Sequence, residues 1–308
     1  FPTVPSPNPE TPEALKMALD LAKEKNTDLV IGTDPDADRL GIIVKDIKND
    51  WKFLNGNQIM MVLTEYLLHK KASQGTLTPQ HFIASTIVST PAIEKMASYY
   101  NVQFKKCLTG FKWIAKLIHD FPELEYIGGG EESFGYLVGD TVRDKDAISA
   151  SLLACEIAVE AKAKQTNLHE LLIACYKKYG AYKERLISIS KPGKSGLEEI
   201  NTLMDGFRRN NPKTISGIKV ITVEDYLTGI SKTLSTQQET KIDLPKANVL
   251  LFKLEEGTQI ALRPSGTEPK IKYYFSVNQK FNSNQNWEQQ ESAMDARLDN
   301  FETSFKAL

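Results

Sequence analysis

The chain has 308 residues, of which 41% are hydrophobic and 25% are charged. This length exceeds the usual size of a single hydrophobic core, so two or three domains are expected. A net charge of −1 and an isoelectric point near 6.5 argue against a nucleic-acid-binding protein, and no apolar run approaches the ~20 residues of a membrane span.

The first half of the chain alternates between strand-like and helix-like patterns. It opens with FPTVPSPNPE, whose prolines favour an extended connector, and we expect it to begin within a longer protein. A helix is predicted from Pro12, after an N-cap at Thr11. The elements expected next are strands 29–31 and 40–44, helix 58–69, strand 82–88, helix 92–100, strand 103–107, helix 111–119, strand 125–127 and helix 147–163. This alternation predicts layered α/β domains with a largely parallel sheet.

The segment KPGKSG, at 191–196, ends this strand–helix alternation, and the order of predicted elements is different in the second half. The elements predicted there are helix 197–207, strands 220–223, 247–254, 258–262 and 271–277, and helix 287–308. The polar stretch 225–246 is predicted to be a loop. The predicted fold class is α/β, with layered mixed-sheet α/β domains followed by a C-terminal α+β domain with an antiparallel sheet.

Three carboxylates, Asp34, Asp36 and Asp38, lie between two apolar strands. Carboxylates this close cannot all stay ionised without a partner. On a straight strand alternate residues are about 6.6 Å apart, whereas Mg²⁺ takes oxygens about 2.0–2.1 Å from its centre. Pro35 and Ala37 suit a curled loop that could gather the acids. A solvated turn is the alternative, but three alternating acids followed by Arg39 favour a divalent-metal loop.

Two other acidic loops can be compared with this one. An EF-hand loop counted from Asp34 would need glycine where Arg39 stands and glutamate where Lys45 stands, so it is excluded. A haloacid-dehalogenase-type phosphotransfer site is the runner-up, with Asp34 as nucleophile and Asp36 as acid/base. That family pattern expects Thr or Val in place of Asp38.

The segment RPSGTEPK, at 263–270, lies between two predicted strands and contains groups that suit a phosphate. It is not a Walker A loop, because no Gly-Lys-Ser/Thr ends it. An ordinary hairpin turn would not need an arginine fork together with two hydroxyls, so we favour phosphate binding. The contributing residues are Arg263, Ser265, Gly266, Thr267 and Lys270.

The segment GGGEESFGY, at 128–136, lacks the third glycine of a dinucleotide loop, because Ser133 stands there. Glu131 and Glu132 would repel a phosphate, but carboxylates and a serine can accept hydrogen bonds from sugar hydroxyls. A flexible glycine turn with exposed acids explains the motif equally well. Two weaker motifs, LTGFKW at 108–113 and VRDKDA at 142–147, place basic residues near helix starts, where they need only be solvated charges.

A metal loop, a hydroxyl-binding loop and a phosphate loop together indicate a phosphorylated sugar and phosphoryl transfer. In order and spacing, GTDPDADRLG, GGEESFGY and RPSGTEPKIKYY resemble the loops of the α-D-phosphohexomutases, the phosphoglucomutase/phosphomannomutase family. LTGFKW and RDKDA also match. The resemblance implies that residues 1–50 end the second domain of that family, 51–185 form its third and 186–308 its fourth.

The resemblance implies an enzyme that interconverts hexose 1- and 6-phosphates, of glucose or mannose, through a phosphoserine and a bisphosphate. The acids Asp34, Asp36 and Asp38 would bind Mg²⁺. Arg39 would lie beside the transferring phosphoryl group, and Lys145 matches the position of a general acid/base. The residues implied for substrate binding are Thr109, Gly110, Lys112, Glu131, Ser133, Arg263, Ser265, Gly266, Thr267 and Lys270.

One departure concerns the nucleophile. The family carries its phosphoserine in a Ser-His-Asn-Pro context, and the 308 residues contain no such segment; the stretch 6–9, SPNP, lacks the histidine. We therefore expect an N-terminally truncated fragment that does not turn over alone, and a parent activated by glucose 1,6-bisphosphate. A non-catalytic phosphosugar-binding module is the alternative. The expected partner is a phosphorylated hexose, not a nucleic acid or a membrane.

The cysteines indicate the compartment. Cys107, Cys155 and Cys175 are few, odd in number and set in apolar surroundings. They predict reduced core thiols of a cytoplasmic protein rather than a disulfide framework.

Overall fold

The computed structural model describes residues 1–191, 193–266 and 268–306, and the chain forms two compact units, Phe1–Tyr179 and Gly180–Leu308. The first unit starts with a 3-10 helix. Its elements in chain order are that helix (Pro12–Leu15), α1 (Lys16–Lys25), β1 (Leu29–Thr33), β2 (Leu40–Lys45), β3 (Trp51–Leu54), α2 (Gly56–Ser73), β4 (His81–Thr86), α3 (Ala92–Tyr100), β5 (Gln103–Cys107), α4 (Lys112–Asp120), β6 (Glu125–Gly130), β7 (Tyr136–Val138), α5 (Ala147–Ala163) and α6 (Leu168–Tyr179).

A small antiparallel sheet with the order β1-β2-β3 carries the acidic loop. Successive side chains of a strand point to opposite faces, so the sheet can pack against other elements on both sides. On one face Val30 and Ile43 pack against Leu15 and Ala22 of the helical segment that precedes the sheet. On the other face α5 and α6 lie against β2. The central strand β2 is therefore buried from Leu40 to Val44, whereas β1 and β3 are only partly buried.

The second sheet of this unit has the order β5-β4-β6-β7, in which β5, β4 and β6 are parallel and β7 is antiparallel. Strand β4 is buried along its whole length, as expected for a central parallel strand covered by helices. The carboxyl ends of parallel strands share one edge of a sheet, so the loops after β4, β5 and β6 gather there.

The second unit is an α+β arrangement with one antiparallel sheet. Its elements are β8 (Ala181–Ser190), α7 (Lys194–Arg209), β9 (Thr214–Ile215), β10 (Ile218–Asp225), β11 (Ile230–Thr233), β12 (Glu239–Lys241), β13 (Leu250–Leu254), β14 (Gln259–Pro264), β15 (Lys270–Gln279) and α8 (Trp287–Lys306). The strand order is β12-β11-β10-β13-β14-β15-β8, and β9 pairs with β10. Phe301 and Phe305 of α8 pack on Phe275 of β15. The predicted fold class is confirmed.

Several local predictions were wrong or incomplete. The stretch 225–246 contains the hairpin of β11 and β12, which the sequence conceals because β12 is exposed throughout and shows no apolar alternation. Helix α6 and strands β3, β7 and β8 were not predicted. Cys155 is exposed, whereas Cys107 and Cys175 are buried as expected, and burial raises the pKa of the Cys107 thiol to about 12. No helix in the described ranges is long and apolar enough to cross a membrane.

Candidate functional site

The loop between β1 and β2 runs from Asp34 to Arg39, since Thr33 pairs with Leu40. The Ala37 N–H donates to the Asp34 carbonyl at 3.0 Å, and Ala37 takes the left-handed conformation with φ 55°. The carboxylate Oδ1 of Asp34 accepts from the backbone N–H groups of Asp38 and Arg39, each at 3.0 Å. The loop is therefore curled around its first acid.

This curl brings the three acids together: one carboxylate oxygen each from Asp34, Asp36 and Asp38 lies within 4.8 Å of the others. Carboxylate oxygens are the ligands that Mg²⁺ prefers. Burial and the neighbouring Asp38 raise the pKa of Asp34, against the backbone hydrogen bond from Arg39. Burial also acts to raise the pKa of Asp38, but hydrogen bonds from Lys145 and Asp34 outweigh it, and the net shift is downward. The cluster thus holds charge that a cation would stabilise.

Two basic side chains contact the acids of the metal loop, which we define as residues 34–39. The guanidinium of Arg39 donates to Glu10 Oε1 at 2.8 Å, and its Nε lies 3.5 Å from Asp34 Oδ2. The Lys145 ammonium lies 2.8 Å from Asp38 Oδ2 and 3.2 Å from Asp144 Oδ1. Burial acts to lower the pKa of Lys145, but its hydrogen bonds to the two aspartates outweigh this and raise it. Lys145 is therefore an ammonium ion at neutral pH.

The sugar loop, residues 131–135, joins β6 to β7 and is closed by a 2.9 Å hydrogen bond from Glu131 N–H to the Gly135 carbonyl. Glu131 is buried, and its Oε1 accepts from the Gly110 N–H at 2.7 Å. Glu132 Oε2 accepts from the hydroxyls of Thr86 at 3.0 Å and Ser89 at 3.1 Å. The two acids thus fasten this loop to the loops that follow β5 and β4.

Backbone hydrogen bonds join the sugar loop and the start of α5 to the metal loop and the strand that follows it. The Leu40 N–H donates to the Phe134 carbonyl at 3.0 Å, and the Ala147 N–H donates to the Ala37 carbonyl at 2.9 Å. The Lys145 ammonium also lies 5.7 Å from the ring centroid of Phe111, next to the segment 109–110. Four of the five motifs found in the sequence therefore meet at one place in the first unit.

The fifth motif lies in the second unit, between β14 and β15, whose last paired residues are Pro264 and Ile271. The Ser265 N–H donates to the Lys270 carbonyl at 2.7 Å, which closes the turn. Arg263 is half-buried and Gly266 is exposed, while the predicted Thr267 lies outside the described residues. The segment is a strand-to-strand turn, as the sequence predicted.

Comparison with known proteins identifies the family. The model for phosphoglucomutase/phosphomannomutase alpha/beta/alpha domain II matches residues 1–48, and that for domain III matches residues 55–179. The chain belongs to the phosphoglucomutase/phosphomannomutase family. This assignment replaces the haloacid-dehalogenase interpretation of Asp34.

Relatives within the phosphoglucomutase/phosphomannomutase family support this assignment. A phosphoglucomutase of Staphylococcus epidermidis is 42% identical over 279 residues, covering 90% of this chain and 50% of that protein. One from Staphylococcus aureus strain MRSA252 is 40% identical over 278 residues, covering 90% and 50%. The chain therefore spans about half the length of the curated relatives it matches.

Solved structures share the fold. The open form of parafusin, a phosphoglucomutase from Paramecium, has a TM-score of 0.61 at 18% identity and matches 98% of this chain and 50% of its own. A phosphoglucomutase/phosphomannomutase family protein from Burkholderia thailandensis has a TM-score of 0.60 at 16% identity, with 98% and 51% covered. At these identities the likeness concerns architecture alone.

In this member of the phosphoglucomutase/phosphomannomutase family, the candidate site also includes residues that the sequence did not single out. The hydroxyls of Thr86 and Ser89 hold Glu132, and Glu10 holds Arg39. No local sequence signal marks these three residues as parts of the site. Lys112 begins α4 and is exposed, with its ammonium 5.5 Å from the Trp113 ring centroid.

Proposed function

We propose that the whole protein to which this chain belongs interconverts hexose 1-phosphate and hexose 6-phosphate, with glucose or mannose as the sugar, in the cytoplasm. Transfer would pass through a phosphoserine and a bisphosphate intermediate. The observation that carries the proposal is the meeting of Asp34, Asp36, Asp38 and Lys145 beside the sugar loop. Relatives named phosphoglucomutase at 40–42% identity support it.

We also propose the domain limits 1–50, 51–185 and 186–308, as parts of the second, third and fourth domains of the family. The family models that end at residue 48 and at residue 179 support the first two limits. The 308 residues contain no Ser-His-Asn-Pro segment. We therefore infer that this chain binds phosphosugar without turning it over.

The carboxylates of the metal loop fit Mg²⁺, because three hard oxygen donors from Asp34, Asp36 and Asp38 lie close together and their mutual repulsion favours a bound cation. When bound, Mg²⁺ would neutralise charge on the transferring phosphoryl group. Arg39 would add a guanidinium at that position. Lys145, whose raised pKa keeps Nζ protonated, would act first as an acid and donate its proton to a departing oxygen.

The remaining implied residues would position the sugar phosphate. Glu131 and Ser133 would accept hydrogen bonds from the sugar hydroxyls, next to Thr109, Gly110 and Lys112. The phosphate that does not react would accept charge-assisted hydrogen bonds from an arginine guanidinium and hydrogen bonds from successive backbone N–H groups. The residues proposed for that grip are Arg263, Ser265, Gly266, Thr267 and Lys270.

A coupled assay tests whether the full-length protein turns over hexose phosphate and the 308-residue chain does not. Glucose 1-phosphate is supplied with Mg²⁺ and glucose 1,6-bisphosphate, and glucose 6-phosphate is followed through NADPH formation by glucose-6-phosphate dehydrogenase. We expect turnover by the full-length protein and none by the 308-residue chain. Turnover by the 308-residue chain would contradict the inference that it lacks the nucleophile. Hydrolysis of p-nitrophenyl phosphate by that chain would favour a phosphatase.

Calorimetry tests binding by the chain itself. We expect glucose 6-phosphate to bind, and Arg263→Met to weaken that binding because a charged fork is lost. We expect Mg²⁺ uptake to disappear in Asp36→Asn, since that exposed side chain can be neutralised without disturbing packing. A full-length protein that binds the sugar phosphate but never isomerises it would instead be a binding module.

A further inference from the structure

Lys145 lies where three loops meet, and its side chain approaches all three. Its ammonium contacts Asp38 Oδ2 of the metal loop at 2.8 Å. Its alkyl stem passes over Gly135 of the sugar loop, where a Cβ would lie 2.5 Å from Lys145 Cδ and 2.8 Å from Cγ. The ring of Phe111, at the start of α4, lies 5.7 Å from the ammonium. This side chain is 19% exposed, so its position is set by packing as well as by charge.

We propose that Lys145 is the resident counter-ion of the metal loop, that its ammonium competes with a divalent cation for Asp38, and that Gly135 of the sugar loop sets the strength of this competition. The proposal rests on the proposed function in one respect, namely that the metal loop takes up a divalent cation. It goes further by giving Lys145 a role opposed to metal binding and by linking the sugar loop to metal affinity.

The charges favour competition. In the described part of the chain Lys145 makes the closest basic contact with the Asp38 carboxylate, at 2.8 Å against 3.7 Å for Arg39 Nε. A dication on that carboxylate would lie within a few ångströms of the ammonium. Charges of +1 and +2 about 5 Å apart repel by about as much as a tenfold change in affinity, even at the dielectric constant of bulk water. Cation binding must therefore displace the ammonium or proceed against its repulsion.

Gly135 provides a way to move Lys145 without altering its charge. The backbone of Gly135 lies outside the positive-φ region, and the nearest atoms to an added Cβ belong to the Lys145 stem, whose several rotatable bonds let it yield. Alanine at this position should therefore push the stem away without adding or removing a charge. A shift of the sugar loop toward Lys145 would push the stem away from Asp38 in the same manner.

The test is the dissociation constant of Mg²⁺ for the 308-residue chain, measured by isothermal titration calorimetry after treatment with EDTA. Lys145→Met removes the charge and keeps the stem, and we expect Mg²⁺ to bind about tenfold more tightly. Lys145→Arg keeps the charge, so this variant should bind Mg²⁺ with the wild-type affinity. Gly135→Ala should tighten binding about threefold. Lys116→Met removes an exposed ammonium that pairs with Asp120 and should change nothing.

Thermal unfolding in EDTA provides the second readout. Lys145→Met loses a salt bridge, so its melting temperature without metal should fall while its Mg²⁺ affinity rises. A residue with a merely structural role would move both quantities in the same unfavourable direction.

The outcomes separate this proposal from the proposed function. If the wild type binds Mg²⁺ and Lys145→Met binds it no more tightly, Lys145 is not a competitor, although the metal site stands. If Gly135→Ala leaves the affinity unchanged while Lys145→Met raises it, the link to the sugar loop is wrong. If neither the wild type nor Lys145→Met takes up Mg²⁺, the competition fails together with the metal part of the proposed function.

Discussion

Replacing Gly56 by alanine tests whether the sugar loop rests on the start of α2. Gly56 is the first residue of that helix. A Cβ there would lie 2.2 Å from the Glu132 carbonyl oxygen and 2.7 Å from the Phe134 nitrogen. Both are backbone atoms, so no side-chain rotation relieves the overlap. The loop or the helix start must move by about 1 Å to restore an ordinary contact.

The expected cost follows from this geometry. Overpacking a filled site costs about 1–3 kcal/mol, and the upper half of that range applies because backbone must move. Alanine recovers up to about 1 kcal/mol through its higher helix propensity. The free energy of unfolding of the first unit should therefore fall by about 2 kcal/mol. The same shift should lengthen the hydrogen bond between Leu40 N–H and the Phe134 carbonyl, which measures 3.0 Å.

Urea unfolding, followed by tryptophan fluorescence, measures this effect. The matched control is Gly206→Ala, a glycine inside α7 with no atom within 4 Å of its added Cβ. That variant should be more stable by about 0.5–1 kcal/mol, because alanine loses less conformational entropy in a helix. A Gly56→Ala chain as stable as the wild type would refute the close-packing argument, and equal effects of both variants would refute it as well.

Three further variants test other contacts. Thr86→Val removes one hydroxyl donor to Glu132 and should lower the unfolding free energy by about 1–2 kcal/mol and weaken glucose 6-phosphate binding, measured by urea unfolding and calorimetry. Burial acts to raise the pKa of Asp46, but backbone hydrogen bonds from residues 50 and 48 outweigh it, so the pKa lies below its ordinary value of 3.8. The Asp46 carboxylate therefore contributes fully to the free energy of unfolding above that value, and the contribution is lost as pH falls through the lowered pKa. Asp46→Asn should remove this part of the acid sensitivity, measured as the free energy of unfolding against pH. An unchanged pH profile would contradict the assignment. Lys183→Met breaks ion pairs from β8 to Glu291 and Asp295 of α8 and should cost the second unit about 1 kcal/mol; 1 M NaCl should reduce that difference, because salt screens exposed charges.

Local patterns predicted the acidic loop well. The apolar runs on either side of Asp34–Arg39 are strands, and the proline and the small alanine between the acids allow the curl that the structure has. The turn after Arg263 likewise joins two strands, as its flanking residues indicated. Both successes concern features set by neighbours in the chain.

Elements without a clear periodicity were missed. Helix α6 follows a short turn after α5. Its sequence, rich in Leu, Tyr and Lys, mixes apolar and charged residues without a clear helical period, so it was not recognised as a separate helix. Strands β11 and β12 form an exposed hairpin whose polar residues resemble a loop, and their pairing with the rest of the sheet comes from hydrogen bonds that composition does not encode. The exposed Cys155 was predicted as buried because α5 is apolar on its outer face as well, where Ile148, Leu152 and Val159 are also exposed.

The sequence by itself determined the motifs, their order and the alternation of strands and helices, because these depend on residues close together in the chain. Only the tertiary structure decided which motifs meet. Glu131 is buried against Gly110 because the parallel strands β5 and β6 bring the loops that follow them to one edge of a sheet. Lys145 reaches Asp38 because a backbone hydrogen bond from Ala147 to Ala37 joins the start of α5 to the metal loop. A lysine that the sequence could explain as a solvated charge thereby becomes the counter-ion of an acidic loop, since its environment is set by residues distant in the chain.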